Sequence, residues 1–153
     1  MIVVKPLMRR QIPDVVALER EATAFPWTEK MYTDSLDAGY WGGGLCEGTQ
    51  LLGVAMVSSG VGESHLLNMC IGLDQQGRGL GRLLLRGACR RALEMGADKM
   101  FLEVRAGNGR AISLYRSVGF RQIGIRKDYY PGVLNREDAV CMALNLLECT
   151  LEC

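Results

Sequence analysis

Three glycines within five residues, set between an apolar segment and an amphipathic one, constrain the fold of this chain more than any other feature. Residues 65–71 are predicted to form a buried strand, and Gly77, Gly79 and Gly81 follow closely. Beyond the loop, apolar residues recur at the spacing of one helix face, and Gly96 suits the position just past that helix. The segment therefore predicts a strand, a tight loop and a helix, with bare main chain where the loop enters the helix.

The chemistry of this loop suits a bulky anion such as a pyrophosphate. The first N–H groups of a helix have no partner within the helix and carry roughly half a positive charge. Glycines remove the Cβ atoms that would keep an anion away, and Arg78 and Arg82 can add side-chain charge. A tight strand-to-helix turn without a ligand is the alternative. The loop lacks the Gly-Lys-Ser/Thr of a P-loop, and the third glycine of the dinucleotide fingerprint would fall at Arg82.

Periodicity along the rest of the chain predicts an α+β (mixed α/β) class, with a largely antiparallel sheet and helices on its faces. An antiparallel meander is followed by one strand–helix–strand crossover. Strands are predicted at residues 2–5, 44–47, 51–58, 65–71, 99–104, 120–126 and 139–144. Helices are predicted at residues 12–22, 28–36, 80–95 and 110–118.

Composition narrows the classes of function. A chain of 153 residues suits one domain, and a formal net charge of +1 gives no strong field toward nucleic acid or an anionic membrane. No run of about 18 apolar residues is present. Six cysteines without a CxxC pair argue against a zinc ribbon, and residues 1–6 do not resemble a signal peptide. We expect a cytoplasmic monomer with free thiols and no metal, which contacts neither nucleic acid nor membrane.

Several motifs after the loop carry a resemblance to a known family. They are Gln76-x-x-Gly79-x-Gly81, Leu102-Glu103-Val104-Arg105, Asn108, Leu114-Tyr115, Gly119-Phe120 and Asp128-Tyr129-Tyr130-Pro131. Together they resemble the GCN5-related N-acetyltransferase (GNAT) family, and within it the RimI branch, which acetylates protein N-termini. The resemblance covers residues 25–139. It implies one GNAT domain over residues 1–146, with a twisted sheet of about seven strands, and leaves residues 147–153 as a tail of unassigned role.

The resemblance implies acetyl-coenzyme A as co-substrate. Its pantetheine arm would bind like an added strand to the main chain of Met69, Cys70 and Ile71. Asn108 would lie beside the cofactor, although its suitability as a helix N-cap is an alternative reason for its presence. Cys70 is not expected to be a nucleophile, because no histidine accompanies it. The pyrophosphate would fall on Gln76, Gly77, Arg78, Gly79, Leu80, Gly81 and Arg82.

Two residues match the proton-transfer positions of the family. Glu103 would be the base that removes a proton from the attacking amine through water, and Tyr115 would be the acid that protonates the departing sulfur. Without the resemblance, Glu103 would be an ordinary exposed strand residue and Tyr115 a half-buried helix residue. His65, the one histidine of the sequence, is expected to be a strand-end residue without a catalytic role.

Aromatic residues match the loops that flank the family's peptide groove, namely Phe25 and Trp27 near one end of the chain and Tyr129 and Tyr130 near the other. The alternative is that these rings fasten the loops to the core. Departures from the family also occur. Gly77 stands where relatives often carry a basic residue, Gly72-Leu73 replaces a common Asp-Pro, and the segment 41–44 is expected to be unusually loose.

The resemblance therefore implies an N-alpha-acetyltransferase that transfers acetyl to the N-terminal amine of a protein. In the RimI branch, the best-known substrate is the N-terminal alanine of a small-subunit ribosomal protein. Two alternatives stay open: an acetyltransferase for a small amine, and a non-catalytic coenzyme-A-binding module that acts through contacts with partners.

Overall fold

The computed structural model describes residues 1–149, which form seven strands and four helices joined by short connections. The strands are β1 (Ile2–Pro6), β2 (Trp41–Glu47), β3 (Gln50–Ser59), β4 (Glu63–Ile71), β5 (Lys99–Arg105), β6 (Arg121–Tyr130) and β7 (Glu137–Asn145). The helices are α1 (Ile12–Ala22), α2 (Glu29–Asp37), α3 (Leu80–Glu94) and α4 (Gly109–Val118).

All seven strands form one sheet, in the order β1-β2-β3-β4-β5-β7-β6. Every neighbouring pair is antiparallel except β4 and β5, which are parallel and connected through α3. The meander, the single crossover and the α+β class predicted from the sequence are confirmed.

Local sequence signals account for the helix ends. Helix α1 begins at Ile12, with Pro13 in the first turn, where its missing N–H costs little. The Thr28 side chain accepts a hydrogen bond from the main-chain N–H of Met31 and caps α2. Gly96, with a φ of +89°, follows the last turn of α3 in the left-handed conformation that glycine adopts without strain.

The helices cover both faces of the sheet. Helices α3 and α4 pack against one face in a large core that includes Leu84, Leu102 and Tyr115. Helices α1 and α2 pack against the other face through Val15, Tyr32 and neighbouring apolar side chains. Any cavity between strands can therefore receive side chains from two separate layers.

Two segments differ from the predicted boundaries. Strand β2 begins at Trp41, and its three glycines are buried rather than loose, because a Cβ at Gly42 would lie 3.0 Å from the Cβ of Leu7. Strand β6 extends to Tyr130, so Tyr129 and Tyr130 end a strand instead of lying in a loop.

Among the described residues, Cys46, Cys70, Cys89, Cys141 and Cys149 are free thiols, as expected. Cys153 and the rest of residues 150–153, part of the tail, lie outside the residues that the structure describes. No helix within residues 1–149 is long and apolar enough to cross a membrane.

A substitution at Gly53 tests how closely β3 and β4 approach each other. A Cβ at this position would lie 2.7 Å from Cδ1 of Ile71 and 2.9 Å from the main-chain oxygen of Cys70. We expect Gly53→Ala to lower the free energy of unfolding by about 1–3 kcal/mol, because backbone must shift to admit the methyl group. Gly60→Ala is the control, since open space surrounds that position. Denaturant unfolding followed by circular dichroism measures both, and equal stability of the two variants would contradict the prediction.

Candidate active site

The parallel strands β4 and β5 separate soon after they meet. Their pairing covers Glu63, Ser64 and His65 on β4, opposite Lys99 to Phe101 on β5. Beyond His65, β4 continues to pair with β3 on its other side, and β5 continues with β7. A cavity of about 910 Å³ extends through this gap, and Met69, Cys70 and Ile71 line it. The strand edge there offers main-chain groups to an extended ligand, as in strand addition.

The glycine loop closes one end of the cavity. Gly77 and Gly79 have φ values of +81° and +76°, a region that side chains with a Cβ rarely adopt. Gly79 is the N-cap of α3, so no side chain caps the helix there. Gly81 allows α4 to approach, because a Cβ would lie 3.1 Å from Cδ2 of Leu114. The first N–H groups of α3 are thus available to an anion.

Arginine side chains surround this helix end. Arg82 Nη2 donates to Ser117 Oγ at 2.6 Å, and Arg110 Nη1 donates to Gln76 Oε1 at 3.1 Å. The Arg110 guanidinium lies 3.8 Å from the position of a Cβ at Gly77. Arg110 therefore supplies positive charge beside the position where the loop lacks a basic residue. Sequence analysis missed it, although its place in the first turn of α4, two residues after Asn108, was a usable signal.

Glu103 and Tyr115 reach the cavity from opposite faces of the sheet. Leu102 and Val104 are buried in the same core as Tyr115. Because side chains alternate along a strand, Glu103 faces the α1–α2 side. Both Glu103 and Tyr115 nevertheless line the cavity, since it passes through the gap between the strands. A carboxylate and a phenol can therefore act on one molecule from two sides.

Burial fixes the protonation of two groups in the cavity. It raises the pKa of Tyr115 to about 12, with a further contribution from Tyr130, so the phenol keeps its proton near neutral pH. Burial, followed by the charge of Glu19, raises the pKa of Cys70 to about 12. The Cys70 thiol therefore stays protonated and is a poor nucleophile, as expected from the sequence.

Two basic side chains lie near the carboxylate of Glu103. Oε2 lies 2.6 Å from Nε2 of His65, and Oε1 lies 3.9 Å from Nε of Arg126. Only 14% of the Glu103 side chain is exposed. Sequence analysis treated His65 as a strand-end residue, but the structure places its imidazole against the predicted base.

Arg105 joins the aromatic walls of the cavity. Its guanidinium lies 3.6 Å from the ring centroid of Phe25 and 4.6 Å from that of Tyr130. Nη1 also donates to Pro131 O at 2.7 Å and to Glu137 Oε1 at 3.0 Å. Phe25 and Tyr130 are thus fastened by Arg105 and still line the cavity, which combines the two roles considered from the sequence.

A buried carboxylate supports the opposite wall. Glu19, which is 2% exposed, accepts hydrogen bonds from Trp27 N at 3.0 Å, Asn68 Nδ2 at 2.9 Å and the Tyr32 hydroxyl. Burial and the Glu19 charge raise the pKa of Tyr32. This network ties the Trp27 segment to β4. Glu19 follows Val15 and Val16 on the apolar face of α1, and that position was a sequence signal for a buried carboxylate.

Most residues predicted from the sequence meet in this cavity. Those that line it are Phe25, Trp27, Met69, Cys70, Ile71, Gln76, Gly77, Gly79, Leu80, Gly81, Arg82, Glu103, Asn108, Tyr115 and Tyr130. Arg78 and Tyr129 do not line it. Arg78 instead bonds Gln75, and Tyr129 packs against Tyr130 with ring centroids 5.0 Å apart. Asn108 also caps α4, accepting from Ala111 N at 3.2 Å.

Comparison with known proteins identifies the class of protein to which this fold and glycine loop belong. Residues 12–120 match the model of the acetyltransferase (GNAT) family. The chain therefore belongs to the GNAT family, whose members use acetyl-coenzyme A.

Several proteins are similar to this chain in sequence as well as in fold. The chain is 36% identical to the [ribosomal protein bS18]-alanine N-acetyltransferase of Escherichia coli K12, over 92% of this chain and 95% of that protein. It is 35% identical to the Haemophilus influenzae protein of the same name, over 84% of this chain and 88% of that protein. The crystal structure of the Escherichia coli enzyme superposes with a TM-score of 0.90, over 95% of this chain and 94% of that one.

Arg110 provides a test of the anion site. We expect Arg110→Ala to raise the Kd for coenzyme A by about tenfold, the size of one lost charge-assisted hydrogen bond. Arg116→Ala is the matched control, because Arg116 is an exposed residue of the same helix that does not line the cavity. Isothermal titration calorimetry measures both, and an unchanged Kd for Arg110→Ala would remove this residue from the binding site.

Proposed function

We propose that this chain is an N-alpha-acetyltransferase that transfers acetyl from acetyl-coenzyme A to the N-terminal alanine of ribosomal protein bS18. The observation that carries the proposal is the single cavity lined by an open strand edge, an uncapped helix N-terminus, a carboxylate and a protonated phenol. The similarity to bS18-alanine acetyltransferases over 92% of the chain supports the choice of substrate. Action on a ribosomal protein also supports a cytoplasmic location.

The residues of the cavity fit acetyl-coenzyme A. Met69, Cys70 and Ile71 offer main chain to the two amides of the pantetheine arm. The first turn of α3, with Arg82 and Arg110, provides donors for the pyrophosphate. When bound, the co-substrate supplies a thioester carbonyl at the point where Glu103 and Tyr115 reach the gap.

Proton transfer follows from the two-sided geometry. The Glu103 carboxylate takes a proton from the α-ammonium group of the peptide through water and leaves a neutral amine. The amine nitrogen forms a bond to the acetyl carbon, and the carbon–sulfur bond breaks. The Tyr115 phenol donates its proton to the departing sulfur and regains one from the amide nitrogen being acylated or from solvent. The net reaction releases one proton.

The peptide approaches along the aromatic walls. Phe25 and Trp27 form one side, and Tyr130 forms the other, with Arg105 stacked between Phe25 and Tyr130. The similarity to bS18-alanine N-acetyltransferases over 92% of the chain favours a protein substrate over the small-amine alternative.

A peptide panel tests the function. We expect a peptide with the N-terminal sequence of bS18 to gain one acetyl group, whereas a peptide with a blocked N-terminus and an internal lysine should stay unmodified. Glu103→Gln should lower kcat by about 10²-fold or more, within the range for general-base catalysis, and should keep the affinity for coenzyme A. Mass spectrometry detects the product, and thiol release gives the rate.

Two outcomes of the panel would overturn the proposal. Acetylation of spermidine but of no peptide would assign the chain to small amines. Binding of coenzyme A without turnover of any amine would assign it to the non-catalytic alternative.

The pH dependence of kcat tests the role of Tyr115. A general acid must be protonated, and the raised pKa of about 12 means that Tyr115 loses its proton only far above neutral pH. We therefore expect kcat to show no falling alkaline limb up to about pH 10. Tyr115→Phe should lower kcat by about 10²-fold at every pH in that range. A fall in wild-type kcat between pH 8 and 10, with the protein still folded, would contradict this assignment.

A further inference from the structure

His65 stands at the point where the cavity opens. It is the last residue of β4 that pairs with β5, opposite Phe101, and Glu103 lies two residues farther along β5. His65 and Glu103 occupy the same face of the sheet, because side chains alternate along each strand. The 2.6 Å contact between Nε2 and Oε2 therefore bridges the fork between the two strands.

The imidazole also connects two environments. Glu103 lines the main cavity, whereas His65 lines a second cavity of about 220 Å³, formed with Ser58, Gly60 and Phe101. The His65 side chain is 37% exposed, compared with 14% for Glu103. The imidazole is therefore accessible to solvent through the second cavity, whereas the carboxylate faces the main one.

Other polar groups near Glu103 do not replace this contact. Arg126, on β6, stands 3.9 Å from Oε1 with its side chain 59% exposed. The charge of Glu103 contributes to the raised pKa of Tyr130. Cys141 lies opposite Glu103 on β7 and forms a hydrogen bond with Arg126. Of these groups, only His65 lies within hydrogen-bond distance of the carboxylate.

We propose that His65 is a positioning residue that orients the Glu103 carboxylate. This inference rests on the proposed role of Glu103 as base. With Nε2–H donating to Oε2, the carboxylate is held in one orientation and Oε1 is left for the water that takes the amine proton.

Three variants separate orientation from local structure. His65→Gln keeps an N–H donor. His65→Ala removes the donor. Ser64→Ala is the matched control, because it removes the 2.8 Å hydrogen bond from Ser64 Oγ to Lys99 O at the same strand junction without touching Glu103. Each variant is assayed with the bS18 N-terminal peptide from pH 5.5 to 9, with coenzyme A affinity and thermal unfolding measured alongside.

The expected results differ among the variants. His65→Ala should lower kcat roughly tenfold above pH 8, because a misplaced base loses part of its catalytic effect. His65→Gln should stay within about twofold of wild type there, because the orienting donor is kept.

Failure of this inference is distinguishable from failure of the proposed function. Full activity of Glu103→Gln would remove the base itself and with it the proposed mechanism. If Glu103→Gln is inactive while His65→Ala matches wild type, or while His65→Gln loses as much activity as His65→Ala, the inference about His65 alone is overturned. An equal loss in Ser64→Ala and His65→Ala would also overturn it, because strand-junction stability would then explain the effect. If His65→Ala does not fold, His65→Leu takes its place as the variant without a donor.

Discussion

The separation of β4 from β5 after three paired residues is the constraint on which the site depends. Interior main-chain N–H and C=O groups need hydrogen-bond partners, so an opened sheet is costly unless water or a ligand completes it. Strand β4 stays paired with β3 as far as Ile71, and strand β5 stays paired with β7 as far as Arg105. This pairing keeps the facing edges of β4 and β5 in place. The gap is therefore a fixed feature of the sheet. It also lets Tyr115 and Glu103, which belong to opposite faces, reach the same space.

Polar residues with little solvent exposure hold the walls of this gap. Glu19 accepts hydrogen bonds from three groups that belong to different segments, and Arg105 binds two rings and two oxygens. A buried carboxylate is tolerated only when several donors satisfy it, so loss of one donor would weaken the whole network. The Gly107 main-chain N–H, followed by Arg105, lowers the pKa of Glu137, which keeps that carboxylate charged against the guanidinium. These networks hold the aromatic side chains that line the cavity.

The sequence predicted the elements well where a local signal was strong. Pro13 and the apolar spacing predicted α1 at its observed bounds, and the glycine loop predicted the start of α3. The start of β2 was missed because glycines that pack closely against Leu7 show no apolar alternation. The contact between His65 and Glu103 could not be predicted from the local sequence, because it depends on how two strands distant in the chain align and then separate. Long-range register is a property of the sheet, and neither segment contains it alone.

Placement of a carboxylate and a phenol on two sides of one gap bears on which amines such a site can use. A free α-amine has a pKa near 7.7–8.0, against about 10.4 for lysine, so presenting it neutral is easier by roughly 3 kcal/mol. A carboxylate is a weak base, so a site that relies on one gains little by binding a strongly basic amine. Burial keeps the Tyr115 phenol protonated on the other face of the gap, where it can donate a proton but cannot remove one. A site of this chemistry therefore suits a protein N-terminus better than a lysine side chain.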